Sequence, residues 1–207
     1  MNTQGLPTAS PELRVLALSG SLRQASLNSA MLDMALTCAP AGMRVDRFTS
    51  LHELPLFNPD LEPFEPAPVA TLRIAIQAAD AVLIASPEYA HGISGVMKNA
   101  LDWMVSTGVL VDKPVVIWNA SPRATHALEA MSKTLTVMSV RLIGSAKLNL
   151  LVVNAPEGQA PINPDPQAMQ ASLARLQAIL SPTARLTAPA RPLGSIEPHR
   201  SAAVRLT

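Results

Sequence analysis

Short apolar runs of strand length alternate along this chain with segments of helical periodicity, and that alternation admits few folds. Leu13–Ser19 (LRVLALS), Ala81–Ser86 (AVLIAS) and Pro114–Asn119 (PVVIWN) are such runs, each ending at a Ser or Asn. Runs this short without a polar face read as strands covered on both sides. Met43–Phe48 is a weaker strand candidate, and Ala146–Val152 is expected to supply the last strand. Between them, apolar residues recur at three- and four-residue spacing: Leu27, Met31, Met34, Ala35 and Cys38; Val69, Leu72, Ile76 and Ala79; Val96, Ala100, Trp103 and Met104; Leu128, Met131, Leu135 and Met138; Met169, Leu173, Leu176 and Leu180. Strand and helix alternate five times. That order predicts an α/β fold: a three-layer, doubly wound parallel sheet of five strands.

Proline marks the connections. Five of the 19 prolines fall between Pro55 and Pro68, four between Pro156 and Pro166, and four after Ser181. Each fixes φ and removes a donor, so these stretches read as loops. Residues 1–181 are expected to form one domain. Residues 182–207 carry four Arg and four Pro against one acid, Glu197, and are expected to be an extended or disordered tail.

Composition excludes several functions. Only 3% of the 207 residues are aromatic and the net charge is +1, so neither a base-stacking surface nor a basic field for nucleic acid is expected. One cysteine excludes an internal disulfide framework and a Cys-based zinc site. No run reaches the ~18–20 apolar residues of a membrane span. The first residues lack a basic segment followed by an apolar stretch, so a cytoplasmic chain without a leader is expected.

In an open parallel sheet, ligands bind beyond the carboxyl ends of the strands. Three loops there are chemically distinctive. The first, Gly20–Asn28 (GSLRQASLN), places Ser21, Arg23 and Ser26 before a helix that Ser26 or Asn28 caps. A helix N-terminus with hydroxyl donors and a guanidinium suits a phosphate. It is neither a Walker loop nor the Gly-x-Gly-x-x-Gly fingerprint. The second, Ser86–Gly95 (SPEYAHGISG), holds the only Tyr, flat apolar surface at Pro87 and Tyr89, and glycines at 92 and 95. The third is Asn119–Thr125 (NASPRAT). Each loop alone also fits an ordinary capped turn. In strand order 2-1-3-4-5 the three loops meet at one edge, and a phosphate cradle beside a planar-ring loop describes a mononucleotide site.

These loops resemble the NADPH-dependent FMN reductase family, a flavodoxin-like group that includes quinone, chromate and azo-dye reductases. The resemblance lies in Gly20-Ser21-Leu22-Arg23 with Ser26 and Asn28, in Ser86-Pro87-Glu88-Tyr89, and in Gly95–Trp103 (GVMKNALDW). Leu54–Asp60 (LPLFNPD), Lys113-Pro114-Val115 and Ser121-Pro122 add to it, and it spans about Val15 to Leu180. It implies that FMN phosphate is held by Ser21, Arg23, Ser26, Leu27 and Asn28. It places Pro87, Glu88, Tyr89 and Gly92 along the isoalloxazine and Ser121 near its far side; Ala90 and His91 in the second loop and Arg123 in the third are further cofactor-binding candidates. It implies NADPH or NADH as cosubstrate, a ping-pong cycle to a small-molecule acceptor, and a homodimer or homotetramer. Helix residues Trp103 and Met104 are the interface candidates.

The third loop departs from the family, which tends to glycine where Arg123, Ala124 and Thr125 stand. Arg123 is therefore a candidate for a nicotinamide nucleotide phosphate. No catalytic triad and no metal ligand set is expected; His52, His126 and His199 lack partners at ligand spacing. His91 is the one His within a site loop, Cys38 is expected in the core, and Asp102 is expected to cap or pair on its helix. The alternative function is an FMN-holding electron carrier or redox sensor, against which the net charge of +1 speaks, since such carriers are strongly acidic.

Overall fold

The computed structural model describes residues 12–121, 124–147, 150–151, 163–164 and 166–181. Five strands, β1 (Leu13–Ser19), β2 (Met43–Phe48), β3 (Ala81–Ala85), β6 (Pro114–Asn119) and β7 (Arg141–Lys147), form one parallel sheet in the order β2-β1-β3-β6-β7. Two further strands, β4 (Glu88–Tyr89) and β5 (Gly92–Ile93), make a small hairpin, and β8 (Leu150–Leu151) pairs with β9 (Asn163–Pro164). The helices are α1 (Leu27–Cys38), α2 (Ala67–Ala78), α3 (Gly95–Val105), α4 (Thr125–Val137) and α5 (Pro166–Leu180).

Strand side chains alternate between two cores, which explains why the strands read as unbroken apolar runs. Leu16, Leu18, Val82, Ile84, Val115 and Ile117 face the core built with α2, α3 and α4. Val15, Ala17, Leu83, Val116 and Trp118 face the core built with α1 and α5. The two indoles find polar partners: Trp118 Nε1 donates to Ser172 Oγ (2.9 Å), and Trp103 Nε1 to the Pro55 carbonyl (2.8 Å).

Three expectations need correction. The last sheet strand runs over Arg141–Lys147, so Ala146–Val152 overlaps it by two residues only. β7 is an edge strand, begins with an exposed Arg141, and carries one extra residue between Leu142 and Ser145 opposite β6. Both features break the apolar run that marks the inner strands. Trp103 and Met104 are 2% and 1% exposed and lie in the core, so they are not available to a partner. Cys38 packs against the α1/α5 core but is only partly buried. The tail 182–207 and Val152 lie outside the described residues.

Candidate active site

The switch in strand order falls between β1 and β3, and the chain after each strand is pinned there. The Gly20 N–H donates to the Ala85 carbonyl (2.8 Å), carrying the β1/β3 pairing one residue past β1. A Cβ at Gly20 would stand 2.2 Å from Ser86 Oγ and 2.7 Å from Ser86 Cβ. Only glycine lets the first loop lie this close to the second. Beneath it, Ser86 Oγ and Ser94 Oγ bond to each other (3.2 Å), so Ser94 makes no side-chain cap for α3.

Serines also build the first loop. Ser26 is the N-cap of α1, its Oγ accepting the Ser29 N–H (3.3 Å); Asn28 lies inside the first turn instead. Ser19 Oγ and Ser29 Oγ are hydrogen-bonded (3.0 Å), the Ser21 N–H donates to Ser19 Oγ (3.3 Å), and the Arg23 N–H donates to Ser21 Oγ (3.4 Å). Ser21, Ser26 and Asn28 are buried, whereas Arg23 is exposed. The first turn holds no acidic residue, so the positive end of the helix dipole is uncompensated there. Asn28 Oδ1 is buried without a hydrogen-bond partner.

The second and third loops are joined by Glu88. Its Oε2 accepts the Ala127 N–H in the first turn of α4 (2.9 Å), and its Oε1 lies 3.1 Å from His91 Nδ1. Helix α4 has no cap of its own, because Ala124 stands at its N-cap. The Ala127 N–H holds the Glu88 carboxyl below the usual carboxylate range; burial opposes this, while the His91 bond and the His126 and His91 charges add to it. The hairpin turn places Ala90 and His91 at φ 47° and 58°. The His91 and His126 rings meet edge to face, centroids 4.5 Å apart. In the third loop, Asn119 Nδ2 donates to the Ala124 carbonyl (2.8 Å) and Asn119 Oδ1 accepts the Ser121 N–H (3.1 Å).

Together the loops enclose a cavity of about 340 Å³ lined by Leu27 and Asn28, by Ser86, Pro87 and Glu88, and by Asn119, Ala120, Ser121 and Ala124. Of the expected site residues, Leu27, Asn28, Pro87, Glu88 and Ser121 are brought together in its walls. Ser21 and Ser26 are buried in the loop that leads into it. Arg23, Tyr89, Ala90, His91 and Gly92 are not among the lining residues; Tyr89 is 57% exposed. Arg123 lies outside the described residues. Ser86, Asn119, Ala120 and Ala124 were not among the expected site residues. Their signal is position alone: each sits at or just beyond the end of an inner strand. Asp102 pairs with Lys98 (2.6 Å), as expected. Among the described residues no group of three His, Cys, Asp or Glu side chains converges on a metal position. None of the described helices is long and apolar enough to cross a membrane.

The sequence profile of the NADPH-dependent FMN reductase family matches residues 13–180. The chain belongs to this family. An NAD(P)H-dependent FMN reductase of Pseudomonas aeruginosa is 45% identical over 96 residues, which cover 45% of this chain and 51% of that protein. A quinone reductase of Escherichia coli K12 is 38% identical over 116 residues, 54% of this chain and 62% of the relative. The chain thus spans about half to three-fifths of the curated relatives it matches. Among solved structures, FerB, a flavoenzyme NAD(P)H:(acceptor) oxidoreductase from Paracoccus denitrificans, superposes with a TM-score of 0.69 at 23% identity, covering 81% of this chain and 97% of that one. Likeness at that identity establishes the shared fold, and the β2-β1-β3-β6-β7 order is that of the flavodoxin-like sheet.

Proposed function

We propose that this chain is an NAD(P)H-dependent flavin oxidoreductase that holds FMN in the cavity at the β1/β3 switch. One observation carries the reading. An uncompensated helix N-terminus and a buried Asn28 Oδ1 without a partner share a cavity wall that faces two loops of apolar and hydroxyl character. Family membership supports it.

The residues present fit FMN. The first-turn N–H groups of α1 lack helical acceptors, and with Ser21, Arg23, Ser26 and Leu27 they would hold the phosphate. A buried Asn28 Oδ1 without a partner is costly unless a ligand completes it. The amide presents an acceptor or, turned over, two donors, so a ribityl hydroxyl or a phosphate oxygen satisfies it. Pro87, Ala120 and Ala124 and the stem of Glu88 offer an apolar wall for a planar ring, with Ser121 beside it. The turn Tyr89–Gly92 stands outside the lining.

Bound FMN would supply the redox chemistry, taking two electrons as hydride from NADPH or NADH and giving two electrons, with protons from solvent, to a quinone, free flavin, chromate or azo compound in a ping-pong cycle. The protein binds and orients, and no side chain is assigned a proton transfer. Arg123 is assigned the NADPH phosphate; in Arg123→Ala the KM for NADPH is expected to rise while that for NADH holds. The reading includes a cytoplasmic homodimer or homotetramer, for which Leu56 and Phe64, 83% and 79% exposed, supply apolar surface.

The test is to add FMN to the purified chain, remove the excess, and add NADPH without oxygen. Retained flavin that bleaches rapidly is the expected result. Retention without bleaching by either nucleotide favours the carrier or sensor. No retention and no steady-state FMN reduction contradicts the assignment.

A further inference from the structure

We infer that Glu88 is a positioning residue of this pocket: its carboxylate clasps hairpin β4–β5 to the first turn of α4 and so fixes the second loop against the third. The inference rests on the proposed flavin site and adds how its ring wall is held.

Three observations converge. First, both carboxylate oxygens are occupied by protein partners, Ala127 N–H and His91, although Glu88 lines the cavity and its side chain is only 13% exposed. Each oxygen is thus oriented by a protein partner. The role of Glu88 is exerted through what it holds. Second, α4 needs an acceptor from elsewhere, since Ala124 at its N-cap offers no side chain, and Glu88 supplies it from 39 residues earlier in the chain. A carboxylate at a helix N-terminus is also favoured by the dipole. Third, the two-residue turn between β4 and β5 has both residues at positive φ, a conformation that Gly or Asn adopts easily and Ala90 does not. A turn that disfavours its own backbone must be held by contacts outside it. Those contacts are the Glu88–His91 bond and the edge-to-face meeting of His91 with His126 on α4. The first ties the turn to β4 within the hairpin; the second, with the Glu88–Ala127 bond, ties the hairpin to α4. The other charged groups on this face of α4, Glu129 and Lys133, are paired to each other (2.8 Å).

The test compares the full-length wild type with Glu88→Ala and Glu88→Gln by amide hydrogen exchange without ligand, and by FMN titration. In Glu88→Ala the Ala127 amide is expected to exchange roughly ten times faster, the scale of a lost hydrogen bond to a charged acceptor. The amides of β1 and β3 should keep their protection, and FMN affinity should fall severalfold. Gln keeps an acceptor without the charge, so Glu88→Gln should fall between the two in both measurements. Should Glu88→Ala fail to fold, Glu88→Gln against wild type carries the same comparison. Unchanged exchange at Ala127, loss of protection spread evenly over the sheet, or faster exchange with wild-type FMN affinity would each overturn the inference. A wild type that takes up no FMN would sink the proposed function instead, and exchange at Ala127 would still decide whether the clasp exists.

Discussion

Two helices begin at the pocket, and they treat their N-termini in opposite ways. Helix α1 is capped by its own Ser26, carries no acid in its first turn, and keeps its remaining donors and dipole for whatever enters the cavity. Helix α4 lacks a cap, and a protein carboxylate, Glu88, takes the Ala127 N–H and compensates the dipole. One helix end is thus left open to an anion and the other is closed. In the proposed reading this difference gives the pocket a polarity: the phosphate is assigned to the α1 end and the ring to the space between the second and third loops.

The strongest way to break this contrast is at the open end. Ser21→Ala combined with Arg23→Ala should weaken FMN binding by several kcal/mol, since bonds to charged groups contribute about 1.5–3 kcal/mol each. Titration with flavin fluorescence reads it, and equal affinity would refute the cradle. Gly20→Ala attacks the seam between the loops. Its Cβ would collide with Ser86 Cβ as well as Oγ, and overpacking of this kind costs about 1–3 kcal/mol. Denaturant unfolding of the ligand-free chain should show that loss. Ser26→Ala sharpens the contrast with a smaller effect, about 1 kcal/mol of stability for a lost N-cap. The same substitution at the α4 cap cannot be made, because Ala124 already stands there.

The smallest effect is a pH dependence. The native-state carboxyl of Glu88 is held low by Ala127 N–H, so its contribution is fully present above the ordinary Glu value of about 4.3 and is lost as pH falls through the lower native value. Wild type should exceed Glu88→Gln in stability above about pH 5. The gap should close on acidification. A gap that widens toward low pH would reverse the sign and contradict the assignment. Glu65, held low by its side-chain bond to Arg73, follows the same rule outside the cavity lining and serves as a control.

The inner strands were legible because two-sided burial writes itself as an unbroken apolar run: β1, β3 and β6 sit where LRVLALS, AVLIAS and PVVIWN predicted. β7 was not, because an edge strand with an exposed Arg141 and an extra residue carries no such run. The first loop was legible down to two candidate caps, Ser26 and Asn28, since Ser-rich chemistry before a helix has local causes; only the structure decides for Ser26. Glu88 was named as a site residue, but its partners Ala127 and His126 lie 39 and 38 positions away, beyond any local pattern. The meeting of His91 with His126 was hidden for the same reason: two histidines with no sequence spacing in common are joined only by the hairpin folding onto α4. Trp103 read as a surface aromatic, whereas its indole donates inward to the Pro55 carbonyl of the strap that precedes α2.

The most direct measurement is a pair of titrations, FMN and riboflavin, on the wild type and on the Ser21/Arg23 double variant. If the open end of α1 holds a phosphate, wild type should bind FMN at least tenfold more tightly than riboflavin, about 1.4 kcal/mol, and the double variant should lose most of that preference. Equal binding of the two flavins by the wild type would contradict the polarity of the pocket.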